Sequence, residues 1–326
     1  MHMYRGRTGW ILMALLLVLS LASCATATES NIVGDQPQVG DAAKPPLPER
    51  ITEFDNEVPK IRVYVKDTGS VETMSIEDYL GGVVAGEMNS DWPMEALKAQ
   101  AILARTFTLR FMTEKESKYE GADVSTDIEE AQAYDASGVN DRIKQAIEET
   151  RGMVLVSNGE FPYAWFHAHS GGKTALAKEG LDYESDEPPY TLVTDGSESE
   201  TAPDEARQWF AQFSPETVMK AANLTGDLTS IEIGEKGESG RAETLLINGE
   251  SVRAASLRIK LGSTDMRSTL LDDIRLEDGT VVMSGRGYGH GVGMSQWGAY
   301  GMAESGSNAE DIVTHYFKDV QVVKMW

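Results

Sequence analysis

The chain has a single cysteine among its 326 residues, Cys24, so no internal disulfide can staple the fold. Positive charge is scarce. Lysine and arginine number 29 against 52 aspartates and glutamates, a formal net charge of −23. That balance repels phosphate backbones and argues against nucleic acid as a partner. It bears on solubility and says little about fold. Long apolar runs are absent apart from Trp10 to Ala22, which is too short to span a hydrocarbon core comfortably. No internal repeat of fixed period is present.

The apolar run follows Arg5 and Arg7 and reads as the core of a signal peptide rather than a transmembrane helix. Leu21-Ala22-Ser23-Cys24 then matches the bacterial lipobox, with small residues placed immediately before a cysteine. The expectation is that residues 1–23 are a lipoprotein signal peptide and that Cys24 is lipidated. Several acyl chains would hold the exported protein stably on the outer face of the cytoplasmic membrane or in the cell envelope. Residues 24–58, with Pro45, Pro46 and Pro48 and no sustained apolar period, read as a flexible tether. Residues 59–326 read as the globular region, one large domain or two intimately joined subdomains.

Within that region Ile61 to Val65 alternates as a strand does. Ser75-Ile76-Glu77-Asp78 looks like a capped helix start leading into Tyr79, Leu80, Val83 and Val84. After an Asn89-Ser90-Asp91 break, Pro93 opens the segment MEALKAQAILARTFTLRFM, expected to be the longest and most buried helix. Asn140 to Thr150 reads as a more exposed amphipathic helix stopped at Gly152. MVLV-SNG-EFPYAWFHA carries a hairpin signal at Asn158-Gly159. Residues 179–206 are acidic and loop-like, and Pro203–Phe213 and Pro215–Ala222 read as short helices. Strand patterns return at SIEIG, ETLLI and Val281–Met283, and Asn308–Phe317 with VQVVKM reads as helix then strand. Strands and helices mix without βαβ alternation. The fold class is α+β, with largely antiparallel strands around a buried central helix.

Two segments carry candidate chemistry. In GGVVAGEMNSDWPMEALKAQ, Glu87 stands between an apolar helical run and a loop, flanked by Gly86, Met88 and Trp92. A carboxyl held there loses solvation of its charged form, so its pKa rises and it can donate a proton near neutral pH. The alternative on composition alone is a helix-end surface glutamate. In GRGYGHGVGMSQWGAYGMA, glycines at 285, 287, 289, 291 and 293 imply a backbone passing close to another chain segment or to a ligand. Their spacing fits neither the dinucleotide fingerprint nor a phosphate loop. His290 is the polar side chain inside the run, a buried structural histidine on statistics alone, and Ser295 and Gln296 follow at a helix start. His167 and His169 in WFHAHSGGKT alternate along a strand, which is metal-compatible spacing, but no cysteine or acid is near. No metal or other cofactor is expected.

EM followed by P-EALKAQA---ART, then FHAHSGGKT, then SGRAETLLI with LR and GRGYGHGVGMSQWGA-GMA, in that order, resembles the stage II sporulation protein D/amidase-enhancer family over roughly Ile61 to Val320. His169 departs from that pattern, where a small hydroxyl residue is usual. The resemblance implies a peptidoglycan lytic transglycosylase with Glu87 as catalytic acid. It further implies that Lys98, Gln100, Arg105, His167, Ser170, Gly171, Gly172, Lys173, His290, Ser295 and Gln296 gather around Glu87 to hold glycan. Partners implied are peptidoglycan glycan strands and a cell-wall amidase. A binding module that grips glycan and enhances an amidase without cleaving is the competing reading, and a lipoprotein scaffold in a wall-remodelling complex is the third.

Overall fold

The computed structural model describes residues 43–326. The expected signal peptide, Cys24 and the start of the expected tether lie outside the described residues. The remainder of the expected tether is packed: Pro45, Pro48 and Ile51 are buried, and β1 (Phe54–Asp55) pairs with the strand that follows. That strand, β2 (Val58–Val65), runs antiparallel to β3 (Ser70–Ser75). Its alternating Ile61 and Val63 point into the core.

Ser75 ends β3 and caps α1 (Ile76–Glu87), its hydroxyl accepting the Asp78 N–H at 3.0 Å. A break with Pro93 at its end leads into α2 (Met94–Glu114), 21 residues long and buried on most sides, because alanine and leucine let neighbouring elements approach all around it. β4 (Val124–Ser125) adds to β2 in parallel. α3 (Asp141–Glu149) starts at the cap Asn140 and shows one face, Ile143, Ala146 and Ile147, to α1 and α2. β5 (Met153–Val156) and β6 (Phe166–His167) follow, then α4 (Ala177–Leu181).

After α5 (Asp204–Arg207), the elements β7 (Gln208–Phe213), α6 (Pro215–Ala221), β8 (Ile231–Ile233), β9 (Thr244–Ile247), β10 (Glu250–Arg253), α7 (Ala254–Leu261), β11 (Leu271–Glu277) and β12 (Thr280–Arg286) build a second hydrophobic core. Its sheets are β10-β9-β8 and β11-β12-β7, all antiparallel. The chain then returns to the first core through β13 (Met294–Ser295), α8 (Gln296–Glu304), α9 (Ala309–Tyr316) and β14 (Gln321–Lys324). The first core therefore draws on both ends of the described chain, and the second is inserted between them.

Two expectations are corrected. Gln208–Phe213 is strand β7, not helix, since Trp209 and Ala211 alternate inward and pair with β12. The hairpin at Asn158-Gly159 shrinks to one bridge between Ser157 and Glu160. β5 takes β14 as its partner instead, and Pro162 follows in the segment that should have paired back.

Candidate functional site

Glu87 is the last residue of α1, and its Oε1 accepts the Ala133 N–H at 2.7 Å. The 133–135 segment can lie this flat on α1 because position 86 is glycine: a Cβ there would stand 2.6 Å from the Tyr134 nitrogen. The covering segment strips water from the carboxyl. Burial pushes its pKa up to about 7, and the hydrogen bonds from Ala133 and Gln296 only partly oppose that.

Gln296 opens α8, whose first turn is capped by the Ser295 hydroxyl accepting from Gly298 N–H at 3.2 Å. From there its Nε2 donates to the Glu87 carbonyl oxygen at 3.2 Å and to Gln100 Oε1 at 3.4 Å. Gln100 is fully buried, and its own Nε2 has no partner among the described residues. Ser295 Oγ donates to Glu198 Oε1 at 3.1 Å, the same oxygen that takes the Ser170 N–H at 2.8 Å. Hydrogen bonds thus tie Glu87 to Gln296, and Gln296's chain neighbour Ser295 through Glu198 to Ser170, bringing separate chain segments together. Glu198 sits inside the acidic stretch read as a loop. Nothing in its sequence surroundings distinguishes it from the other acids there.

The Ser170–Lys173 turn rests on Arg241, a fully buried guanidinium that donates to the carbonyls of Ser170 and, at 2.8 Å, Lys173. Burial lowers the Arg241 pKa to about 10, an effect the nearby Glu179 carboxylate opposes. Glu179 also accepts the Arg241 and Ser239 N–H groups at 3.2 Å. Neither Arg241 nor Glu179 was singled out as a site residue, although Arg241 lies in the quoted SGRAETLLI motif. The glycine run is explained by chain packing against chain. A Cβ on Gly291 would meet Arg241 Cζ at 2.4 Å, and one on Gly293 the Trp165 carbonyl at 2.1 Å.

His290 lies among these contacts. Its Nδ1 accepts the Val292 N–H at 3.0 Å, and burial with the Arg258 and Arg241 charges drives its pKa down to about 3. It is neutral at any physiological pH. His167 is buried with its ring 5.6 Å from that of His290; its Nδ1 lies 3.2 Å from the Val292 carbonyl oxygen. Burial first, then His290 and Arg241, hold its pKa well below the usual range, and its Nε2 has no partner among the described residues. His169 points elsewhere. Its Nδ1 accepts the Gly171 N–H at 2.9 Å and stands 3.8 Å from Glu198. Lys173 and Gly172 are exposed.

Lys98 and Arg105 are not part of this assembly. Seven residues apart, they share one side of α2, and at about 100° per residue Gln100 lies roughly opposite. Lys98 pairs with Glu95 at 2.8 Å and with Glu149 of α3. Arg105 pairs with Glu77 at the start of α1 and donates to the Met153 carbonyl at 2.9 Å.

A family model described as "Stage II sporulation protein" matches residues 64–156. The chain is 32% identical over 277 residues to Stage II sporulation protein D of Bacillus amyloliquefaciens, covering 80% of this chain and 78% of that one. It is 31% identical over 259 residues to an uncharacterized protein of Brachyspira hyodysenteriae, covering 78% and 68% of the two. Against a Bacillus subtilis protein named Amidase enhancer it is 26% identical over 286 residues, 73% of this chain but 39% of that longer relative. With its order of motifs and these matches along most of its length, the chain belongs to the stage II sporulation protein D/amidase-enhancer family.

Proposed function

We propose that the protein is a lytic transglycosylase that cleaves the bond between N-acetylmuramic acid and N-acetylglucosamine in peptidoglycan, with Glu87 as general acid and base. The observation that carries this reading is the Glu87 carboxyl at the end of α1, held under the 133–135 segment by the Ala133 N–H, where burial pushes its pKa up to about 7. At neutral pH it is both protonated often enough to give a proton and basic enough to take one back. Glu87 protonates the bridging oxygen as its bond to muramic acid C1 breaks. The sugar's own C6 hydroxyl attacks C1, the Glu87 carboxylate accepts that hydroxyl's proton, and the 1,6-anhydro ring closes without water. The attacking hydroxyl belongs to the substrate, so a second carboxylate of the kind hydrolytic glycosidases use is not needed. Gln296 would fix the end of α1 from which Glu87 projects. No cofactor enters the scheme.

Release of anhydro products across pH 5–9 tests this. Above pH ~7 the protonated fraction of Glu87 falls about tenfold per pH unit, and kcat/KM should fall with it. A rate flat to pH 9 would remove Glu87 as the acid. The relative named Amidase enhancer favours a second reading, a glycan-gripping partner of an amidase. Digestion of purified peptidoglycan separates the two: anhydro muropeptides mean cleavage, and co-sedimentation without them means binding alone.

The envelope location belongs to the same proposal, through lipidation of Cys24. Cys24→Ser should release the protein from membranes or block its processing. An unchanged size and unchanged partition into the detergent phase would contradict it.

A further inference from the structure

Two tryptophans and a tyrosine meet where the loop after α1 faces the start of α8, the helix whose first residue, Gln296, donates to the Glu87 carbonyl. Trp92 stands in the loop that follows α1. Trp297 adjoins Gln296, the residue whose Nε2 is 3.2 Å from the Glu87 carbonyl, and Tyr300 lies one turn on in α8. The Trp92 ring centroid is 4.5 Å from Trp297 and 5.2 Å from Tyr300, and the last two are 5.3 Å apart. Their planes are inclined by 45° to 86°, so they form a corner rather than a flat plate.

All three are only half-buried. Trp92 leans on the first core, but Trp297 and Tyr300 are not among the side chains packed against it. Trp209 and Trp326 place their indole N–H groups on Ser268 Oγ and Glu77 Oε1. Among the described residues, the indole N–H groups of Trp92 and Trp297 and the Tyr300 hydroxyl have no protein partner. The backbone beneath the rings is nevertheless firmly held. Arg142 donates to the carbonyls of Ser90 at 2.8 Å and Trp92 at 2.6 Å. Trp297 donates its N–H to Ala168 O at 3.0 Å and accepts from Ser199 N–H at 3.1 Å.

Half-exposed rings on a held backbone, with polar edges that have no protein partner among the described residues, suit one kind of ligand. A pyranose chair offers a flat C–H face that buries well against an aromatic ring, with hydroxyls at its rim for the indole and phenol groups. We propose that Trp92, Trp297 and Tyr300 form a stacking subsite for one N-acetylated pyranose ring of the glycan strand, adjacent to the bond that Glu87 acts on. The subsite rests on the glycan reading above. A purely structural clasp between the α1–α2 loop and α8 is the alternative, and it would be felt in stability rather than in affinity.

The test uses full-length Glu87→Gln protein, so that nothing is cut, and peptide-free glycan strands as probe, followed by tryptophan fluorescence and co-sedimentation. Trp297→Ala and Tyr300→Ala, whose rings lie outside the core, should each weaken strand binding by about tenfold or more, the loss expected for one apolar contact of this size. Melting should change little, and Trp297→Phe should restore most of the affinity. In the Glu87-intact protein the same changes should raise KM more than they lower kcat. Unchanged affinity in both alanine variants would overturn the subsite while leaving the reading of Glu87 standing. A Glu87→Gln parent that fails to bind strands at all would overturn both.

Discussion

Glu87→Gln should release no anhydro muropeptides while still binding glycan strands. The amide keeps the side chain's size and can still accept the Ala133 N–H through its oxygen, but it has no proton to transfer. A general acid/base contributes about a hundredfold to ten-thousandfold in rate, so the loss is readily measured. The same substitution has a signature in stability. A carboxyl whose pKa rises from 4.5 unfolded to about 7 folded binds its proton more tightly in the native state. Native stability therefore falls as pH rises through that window, by about 3 kcal/mol in all, and stays low above it. The glutamine variant lacks this term. Its stability should exceed the parent's at pH 8, and the excess should vanish by pH 4. Parallel curves from pH 4 to 8 would mean that the Glu87 carboxyl is solvated, and the proton-transfer role would fall with it.

The parts of the fold legible in sequence are those whose causes are local. The Ser75 and Asn140 caps, the alanine-rich course of α2 and the Asn308 start of α9 depend on residues a few positions apart, and each helix lies where its pattern placed it. β7 was misread because QWFAQF tolerates either period and only β12, far along the chain, decides between them. The Asn158-Gly159 hairpin failed for a related reason. Its turn chemistry was sound, but β14 from the far end of the chain claimed β5. The site divides in the same way. Glu87 stood out as an acid set among apolar and glycine neighbours, a setting that also fits a helix-end surface glutamate, and the glycine run announced close approach without saying to what. Arg241 and Glu198 were invisible because their role consists in reaching across to carbonyls and N–H groups of distant turns. Gln100 and Lys98, near neighbours in one motif, part company only once α2 is wound and its faces are turned to different partners.

That division predicts opposite outcomes for two residues of the same motif. Arg105→Ala should cost about 3–5 kcal/mol of stability, the range for leaving one partner of a buried ion pair without the other. Arg105 is wholly buried, and its guanidinium grips both Glu77 oxygens while a third N–H reaches the Met153 carbonyl. Glu77 would keep the Gly152 N–H at 3.1 Å and the Trp326 indole N–H at 2.9 Å, but no cation. The clasp joins α1, α2, β5 and the C-terminal residue, so its loss should lower the denaturant midpoint and loosen the end of β14 first. Arg105→Lys should not restore it, because an ammonium cannot make the two-pronged contact. Activity should behave differently. Arg105 lies on the side of α2 away from Gln100 and the Gln296–Glu87 contact, so cleavage per folded molecule, measured well below the melting transition, should stay close to the parent's. Glu87→Gln should show the reverse, normal or raised stability and no cleavage. If folded Arg105→Ala instead loses cleavage as completely as Glu87→Gln, then Arg105 acts on the glycan or on Glu87, and the two faces of α2 are not functionally separate.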